Sequence, residues 1–212
     1  MLDLFDDSGA ERPLAEGAVL HRGFALPQEA ELLAAIEAVT ARAPFRHMVT
    51  PGGFTMSVAM TNCGTAGWVT DRSGYRYTGT DPVTGALWPP LPTAFDGLAR
   101  SAAAKAGYAD FAADACLINR YEPGAKMSLH QDRNERDFTQ PIVSVSLGLP
   151  ALFLFGGAKR NDRAKRIPLD HGDVVVWGGP SRLFFHGVNT LADGVHPRLG
   201  RQRINLTFRR AL

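Results

Sequence analysis

A series of short apolar segments in the second half of the chain, separated by glycine and proline turns, constrains the fold more than any other feature. Seven of these segments have the length and composition of β-strands: 115–121, 126–132, 142–149, 151–155, 173–177, 183–186 and 204–208. Many short strands joined by such turns are typical of a β-sandwich or a jelly roll. The sequence therefore predicts a mainly β region over residues 113–212.

The first half of the chain contains two amphipathic segments that are predicted to be helices. They run from residue 27 to 43 and from 93 to 106, with apolar side chains at helical spacing. Residues 1–27 are predicted to be loop-like, with a short edge strand at 18–20. The expected fold class is α+β, mainly β. No internal repeat stands out, and the length of 212 residues allows one large β domain or a domain and a half.

Composition limits the class of protein. A hydrophobic content of 45% supports a large core, and 21% charged residues argues against disorder. The net charge of +2 is too small to indicate nucleic-acid binding by the whole surface, so any basic surface has to be local. Cys63 and Cys116 are too few for a disulfide framework, and no apolar run is long enough to span a membrane. Because the sequence has no signal-peptide pattern, we expect a cytoplasmic protein that contacts no membrane. We also expect a monomer.

Candidate metal ligands lie in the segment 129–132 and at His186. In an extended strand, side chains two residues apart point to the same face, so His130 and Asp132 are predicted to lie side by side. Two imidazoles and one carboxylate bind one face of Fe(II) and leave positions open for oxygen and a co-substrate. Such a pattern also arises by chance in a chain with six histidines, so the spacing alone leaves a structural role open.

The last predicted strand has two different faces. Its apolar face carries Ile204, Leu206 and Phe208, and its polar face carries Arg203, Asn205, Thr207 and Arg209. Burying an unpaired arginine costs several kcal/mol or more, so the polar face needs solvent or a charged ligand. A small dicarboxylate suits it, because guanidinium groups bind carboxylates bidentately, and Asn119 and Tyr121 on another strand would add hydrogen bonds.

Aromatic and basic residues alternate in the segment 68–77, which contains Trp68, Tyr75 and Tyr77 among arginines. Such a segment suits the stacking of bases and the binding of phosphates, although an ordinary surface hairpin has the same composition. The basic stretch 159–166 is open to the same two interpretations: a solvated loop, or a contact with phosphate.

The remaining histidines have no partners at ligand spacing, and we interpret them as structural or surface residues: His21, His47, His171 and His196.

Several motifs together resemble the AlkB family of Fe(II)/2-oxoglutarate nucleic-acid demethylases. They are Asn119-Arg-Tyr121, Leu129-His-Gln-Asp132, Gly172-Asp-Val-Val-Val-Trp177, Arg182-Leu-Phe-Phe-His186 and Arg203-Ile-Asn-Leu-Thr-Phe-Arg209. The resemblance covers nearly the whole chain, and the stretch 50–62 resembles the bacterial branch. It implies a single domain over residues 1–212. Within this domain it implies a double-stranded β-helix (jelly roll) core at 113–212, flanked by N-terminal helices, and a nucleotide-recognition lid at 45–92.

The resemblance also implies the ligands of the cofactors. The metal would be held by His130, Asp132 and His186. Arg209 would bind the C1 carboxylate end of 2-oxoglutarate. The distal carboxylate would be held by Arg203, with hydrogen bonds from Asn119, Tyr121 and Asn205. O2 would be the second co-substrate.

For the substrate, the resemblance implies a base stacked between Trp68 and the imidazole of His130. The other contacts would be Met60 in the base pocket, Thr50 and Tyr75 on the nucleotide backbone, and Arg160 in the basic stretch. One residue departs from the family pattern: bacterial members usually carry an acidic residue where this chain has Asn134. An amide there keeps a hydrogen-bond acceptor but loses the negative charge, which affects the preference for cationic bases.

The implied reaction is oxidative demethylation of 1-methyladenine and 3-methylcytosine in single-stranded or double-stranded DNA, and also in RNA. It releases formaldehyde and repairs alkylation damage by direct reversal. Two alternatives remain on the residues alone. One is an oxygenase of the same type that acts on a small molecule or a protein side chain. The other is a non-catalytic binding module in which Arg203 and Arg209 bind a different anion.

Overall fold

The computed structural model describes residues 10–212, so the predicted loop at residues 1–9 lies outside the described part. Over residues 10–212 the chain is mainly β. The helices are α1 (Glu29–Arg42) and α2 (Thr93–Lys105), with short 3-10 helices at Leu26–Gln28 and Gly179–Ser181. Neither α-helix is long and apolar enough to cross a membrane.

The strands of the first half are β1 (Glu11–Ala15), β2 (Ala18–His21), β3 (Arg46–Val49), β4 (Thr55–Gly64), β5 (Gly67–Asp71) and β6 (Gly74–Thr78). Those of the second half are β7 (Ala115–Tyr121), β8 (Met127–His130), β9 (Ile142–Gly148), β10 (Ala151–Phe155), β11 (Lys165–Leu169), β12 (Val174–Trp177), β13 (His186–Val188) and β14 (Arg203–Arg209).

Two antiparallel sheets form the body of the protein. The large sheet has the order β1-β2-β12-β9-β14-β7-β4-β3, and the small sheet has the order β11-β10-β13-β8. Their inner faces pack against each other through a shared cluster that includes Trp177 and Val175 of the large sheet and Phe153 and Phe155 of the small sheet. β5 and β6 form a separate hairpin.

The outer face of the large sheet is covered by the two helices. Leu32 and Ile36 of α1, together with Phe95 of α2, belong to one buried cluster with Leu206 and Phe208 of β14. Phe95 packs edge-on against Phe208, with ring centroids 5.8 Å apart. The predicted apolar face of β14 therefore lies against the helices. Because side chains alternate along a strand, its polar face points to the small sheet.

Most predicted elements are confirmed. The strands at 115–121 and 151–155 have the predicted bounds. Those at 142–149 and 173–177 differ by one residue at one end, and the strand at 204–208 is one residue longer at each end. Both helices are present.

Three predictions on secondary structure were wrong. The region 10–27 is not a loop, because β1 and β2 form a hairpin there. β1 is the outermost strand of the large sheet and pairs with β2, so β2 is not an edge strand. The strand predicted at 126–132 ends at His130, and the one predicted at 183–186 begins at His186. β11 was missed because Lys165, Arg166 and Pro168 hide its alternation, although charges and proline are common on an edge strand.

The segment 45–92 divides between two structures. β3 and β4 extend the large sheet beside β7, whereas β5 and β6 stand apart from it. The base of this hairpin is tight: a Cβ on Gly67 would lie 2.5 Å from the indole of Trp88, whose Nε1 donates to the carbonyl of Thr78 at 3.0 Å. The close approach requires glycine and anchors both ends of the hairpin.

Candidate active site

Two strands of the small sheet bring the predicted metal ligands together. His130 on β8 lies directly opposite His186 on β13, and Asp132 follows two residues after the end of β8. The potential ligand atoms of the three residues lie within 4.8 Å of one another. Nε2 of His130 is 3.8 Å from Oδ1 of Asp132, and Nε2 of His186 is 3.7 Å from Oδ2. The other histidines lie outside this group, as predicted.

Backbone carbonyls orient both imidazoles. Nδ1 of His130 lies 2.8 Å from the carbonyl oxygen of Ser128, and Nδ1 of His186 lies 3.0 Å from that of Phe184. A ring nitrogen that faces a carbonyl carries the proton, so each Nε2 presents its lone pair to the cluster. Burial, and then the neighbouring His130, lower the pKa of His186 to about 4. The neutral imidazole that results is the form that binds metal.

The carboxylate of Asp132 is ionised by its surroundings. Burial alone would raise its pKa, but the charge of Arg209 and the two imidazoles hold the pKa of Asp132 well below the usual range. Arg209 donates to Oδ2 of Asp132 from Nε at 2.9 Å and from Nη2 at 2.7 Å. Nη1 of Arg209 lies 3.5 Å from the hydroxyl of Tyr77. The predicted contact of Arg209 with the C1 carboxylate of a ligand stays a prediction.

A polar cavity of about 50 Å³ lies beside the triad, between the two sheets. The residues predicted to bind 2-oxoglutarate all line it, together with both imidazoles: Asn119, Tyr121, Arg203, Asn205 and Arg209. They converge because β7 and β14 pair in register, with Arg203 opposite Tyr121 and Asn205 opposite Asn119.

Arg203 is a buried cation without an acidic partner. It is 1% exposed, its Nη2 donates to Ser146 Oγ at 2.9 Å, and its guanidinium lies 5.0 Å from the ring centroid of Tyr121. Nε and Nη1 have no hydrogen-bond partner, and burial lowers the pKa of Arg203. Among residues 10–212 no carboxylate lies within 4.0 Å of it. Such a site is costly when empty, and it fits an incoming carboxylate.

The side-chain amide of Asn205 makes all of its hydrogen bonds within the protein. Its Nδ2 donates to Ser144 Oγ at 2.8 Å and to the carbonyl of Val145 at 2.9 Å. Its Oδ1 accepts from Asn119 at 3.2 Å and from Thr207 at 2.9 Å. An asparagine amide makes about four hydrogen bonds, so Asn205 orients its neighbours. Oδ1 of Asn119 is buried without a partner.

The predicted base-stacking residue lies on the hairpin, above the loop that carries Asp132. Nε1 of Trp68 donates to Oδ1 of Asn134 at 3.3 Å, and the ring of Tyr75 stacks on Trp68 with centroids 5.7 Å apart. The buried Asn62 makes reciprocal 2.9 Å hydrogen bonds with the backbone N–H and carbonyl of Trp68. Three of the predicted substrate residues, Trp68, Tyr75 and Asn134, therefore lie together. Asn62, which sequence reasoning missed, has no distinguishing signal in the sequence.

The other three predicted substrate residues lie apart from this group, either buried below it or at the surface. Met60 is fully buried in a cluster against which Trp68 packs. Thr50 begins the turn between β3 and β4, where its Oγ1 accepts from the backbone of Phe54 at 3.2 Å. Arg160 is exposed, with its guanidinium 5.8 Å from the ring centroid of Phe185. Nucleotide contacts by these three residues stay predictions.

Sequence reasoning also missed a buried cluster beside Asp132, formed by Tyr77, Glu135 and Arg182. Tyr77 belongs to the aromatic segment 68–77, and Arg182 is a lone charge at the start of an otherwise apolar segment, but neither pattern indicates that they meet at Glu135.

Comparisons with known proteins agree with this geometry. A family model described as "2OG-Fe(II) oxygenase superfamily" matches residues 17–209. The chain is 59% identical to the alpha-ketoglutarate-dependent dioxygenase AlkB of Salmonella typhimurium over 212 residues, which span 100% of this chain and 98% of that protein. It is 34% identical to the human nucleic acid dioxygenase ALKBH1 over 122 residues, 57% of this chain and 31% of that protein. The solved structure of OsALKBH1 is similar, with a TM-score of 0.82 at 29% identity, over 94% of this chain and 99% of that one.

If Asp132 is a metal ligand, Asp132→Asn removes the negative charge at nearly constant shape and abolishes 2-oxoglutarate turnover. We expect Fe(II) affinity to fall by at least about tenfold, since the carboxylate supplies one of three protein ligands. Iron titration and succinate formation measure the two effects. Asp96→Asn, on the exposed face of α2, is the control. Near-normal turnover in Asp132→Asn contradicts the assignment of the triad.

Arg203→Met separates ligand binding from stability. Without an acidic partner, the buried guanidinium contributes little to the fold, so we expect the unliganded variant to melt at or above the temperature of the parent protein. Its affinity for 2-oxoglutarate should fall by about a hundredfold, the scale of one lost charge-assisted clamp. Calorimetry with Mn(II) in place of Fe(II), and thermal melting, test both. Unchanged affinity means that Arg203 faces another ligand.

Proposed function

The chain belongs to the AlkB family of the 2OG-Fe(II) oxygenase superfamily, and we propose that it removes N-methyl groups from alkylated bases of nucleic acid by oxidation. It is an Fe(II)- and 2-oxoglutarate-dependent dioxygenase that uses O2 as its second co-substrate. The observation that carries the proposal is the position of the aromatic hairpin. It contacts the short loop that holds the metal carboxylate, through Trp68 at Asn134 and through Tyr77 at Glu135.

Different residues of the site have different roles in the proposed reaction. His130, Asp132 and His186 would hold Fe(II), and the clustering of their ligand atoms supports this. Arg203, with Asn119 and Tyr121, would hold the distal carboxylate of 2-oxoglutarate, and Arg209 the end nearer the metal. When bound, Fe(II) with 2-oxoglutarate and O2 supplies the oxidation that hydroxylates the N-methyl group, yielding succinate, CO2, formaldehyde and the unmethylated base. Apolar walls such as Trp177 and Phe153 exclude water from this chemistry.

We infer that the two facing sheets are the double-stranded β-helix core of residues 113–212, completed by β2 and β4 from the first half. Within the segment 45–92, the part that acts as a lid is the β5–β6 hairpin, because β3 and β4 are built into the large sheet. The turn at Thr50 and the exposed Tyr75, which lies on β6 of this hairpin, suit contacts with the nucleotide backbone.

The preferred substrates are 1-methyladenine and 3-methylcytosine, which are cationic because the methyl group sits on a Watson–Crick nitrogen. An extruded base lies against Trp68, whose π face attracts a cation, and opposite His130. Tyr75 covers one face of the indole, and the base uses the other. Met60 supports the pocket from the buried side.

The nucleic acid is DNA, single- or double-stranded, with RNA as a further substrate. Outside the base pocket, phosphate contacts supply affinity without sequence preference, and Arg160 in the stretch 159–166 is the candidate. We propose that the protein acts as a monomer in the cytoplasm, where the free buried thiols of Cys63 and Cys116 stay reduced.

Formaldehyde release from methylated oligonucleotides tests the function. The purified protein with Fe(II) and 2-oxoglutarate should release formaldehyde from strands that carry 3-methylcytosine or 1-methyladenine, and none from unmethylated strands. Succinate formation without any formaldehyde from these strands would favour a small-molecule or protein substrate. A protein that forms no succinate under any of these conditions would be a binding module.

Asn134→Asp tests whether residue 134 senses the charge of the base. A carboxylate still accepts the hydrogen bond from Trp68 Nε1, so the change adds charge without removing a contact. The residue is exposed, and we expect the kcat/KM ratio of 3-methylcytosine over the neutral 1-methylguanine to rise about fivefold, or about 1 kcal/mol. Asn134→Ala, which loses the contact, is the control. An unchanged ratio in Asn134→Asp places the side chain outside the base pocket.

A further inference from the structure

Arg182 holds the loop after β8 at three separate positions. It lies just after the 3-10 helix at Gly179–Ser181 and is 2% exposed. Its Nη1 donates to the carbonyl of Asp132 at 2.9 Å, its Nε to the carbonyl of Gln140 at 2.9 Å, and its Nη2 to the carboxylate of Glu135 at 3.2 Å. One guanidinium therefore fixes both ends and the middle of the loop that supplies the metal carboxylate.

Glu135 is the centre of this arrangement. It is 5% exposed, and Oε2 takes the hydrogen bond from Arg182. Oε1 lies 3.6 Å from Nε of Arg209, the residue that also grips Asp132. Two arginines and two carboxylates thus form a buried group without net charge. Removing one member leaves an uncompensated buried charge, so each of the four side chains depends on the others for its charge compensation.

The hairpin joins this group through Tyr77. The hydroxyl of Tyr77 donates to Oε1 of Glu135 at 2.6 Å, a short hydrogen bond to a charged acceptor. Tyr77 also lies directly opposite Trp68 in the β5–β6 pairing, so both side chains share one face of the hairpin. That face therefore contacts the loop at two adjacent residues: Trp68 at Asn134 and Tyr77 at Glu135.

We propose that Tyr77, Glu135 and Arg182 are positioning residues that couple closure of the β5–β6 hairpin over the nucleotide to the orientation of the metal carboxylate Asp132. The proposal rests on the proposed function for the identity of the nucleotide. When the hairpin is closed, Tyr77 fixes Glu135, and Glu135 fixes Asp132 through Arg182 and Arg209. When it is open, Glu135 loses one of its partners, and the loop loses part of its restraint.

Coupling of this kind is reciprocal. If a methylated nucleotide closes the hairpin and thereby orders Asp132, then metal and 2-oxoglutarate must tighten nucleotide binding by the same factor. Typical coupling between two sites amounts to about fivefold or more in affinity. A purely structural role for the buried group predicts lower stability in the variants but leaves this factor unchanged.

Tyr77→Phe is the informative variant, because it deletes the single hydroxyl that links hairpin and loop. The protein is loaded with Mn(II) and 2-oxoglutarate, which prevents turnover, and its affinity for a 3-methylcytosine oligonucleotide is measured with and without this loading. We expect loading to tighten binding about fivefold or more in the parent protein and less than about twofold in Tyr77→Phe. Tyr108→Phe is the matched control, since its hydroxyl makes a similar 2.9 Å hydrogen bond to Gly17, away from the site. Equal coupling in Tyr77→Phe and the parent protein overturns the proposal.

Amide hydrogen exchange provides a readout without nucleic acid. Loading with Mn(II) and 2-oxoglutarate should slow exchange of residues 67–78 in the parent protein and in Tyr108→Phe, but not in Tyr77→Phe.

Arg182→Lys, which loses the three-point contact, should lower Mn(II) affinity, with Arg22→Lys as the control. If Arg182→Lys does not fold, Glu135→Gln replaces it, since it keeps the acceptor but weakens the ion pairs. The coupling is refuted if loading slows exchange in Tyr77→Phe as much as in the parent protein and if Arg182→Lys keeps the parent's Mn(II) affinity. A parent protein that binds no methylated strand refutes only the proposed function.

Discussion

Two arginines buried on one face of β14 determine how the site is built. Arg203 and Arg209 point away from the helices into the space between the sheets, where water cannot compensate their charge. Arg209 is paired inside the protein with Asp132, whereas Arg203 has only a serine hydroxyl and an aromatic ring. The unpaired charge makes the empty site unfavourable, so we expect a bound dicarboxylate to increase the stability of the fold.

The position of β14 explains why one face meets so many partners. It is paired on both sides, with β7 and with β9, so its register is fixed by two ladders. The same ladders place Asn119 and Ser146 opposite Asn205, on the two sides of β14. The opposite sheet contributes both imidazoles from one paired position, His130 and His186. The two imidazoles and the residues proposed to bind the carboxylates are therefore held on separate sheets, which suits a site that holds two cofactors at a constant separation.

Local patterns predicted the strands that the second half contributes to the large sheet well, and the small sheet and the loop after β8 poorly. The alternation of β14 correctly separates its core face from its ligand face, because burial on one side imposes a period of two. The rule placed Asp132 on a strand with His130, but β8 ends at His130, and the carboxylate reaches the cluster from a loop. The roles of Glu135 and Arg182 depend on contacts between residues about fifty positions apart, which no local pattern contains. β11 was missed because its basic residues reflect an edge position, which is a property of the sheet rather than of the segment.

The placement of the metal carboxylate on a loop has a chemical consequence. The loop after β8 carries Asp132, which serves the metal, and two residues further Asn134, which contacts the base-stacking tryptophan. A rigid strand would link these tasks, since it would hold both side chains in one geometry whatever the nucleotide does. A loop held by Arg182 is restrained at its backbone, while the side chain at 134 remains exposed and free to vary. We therefore expect the departure from the family pattern at 134 to change which bases the pocket attracts without displacing Asp132, the proposed metal ligand two residues before it.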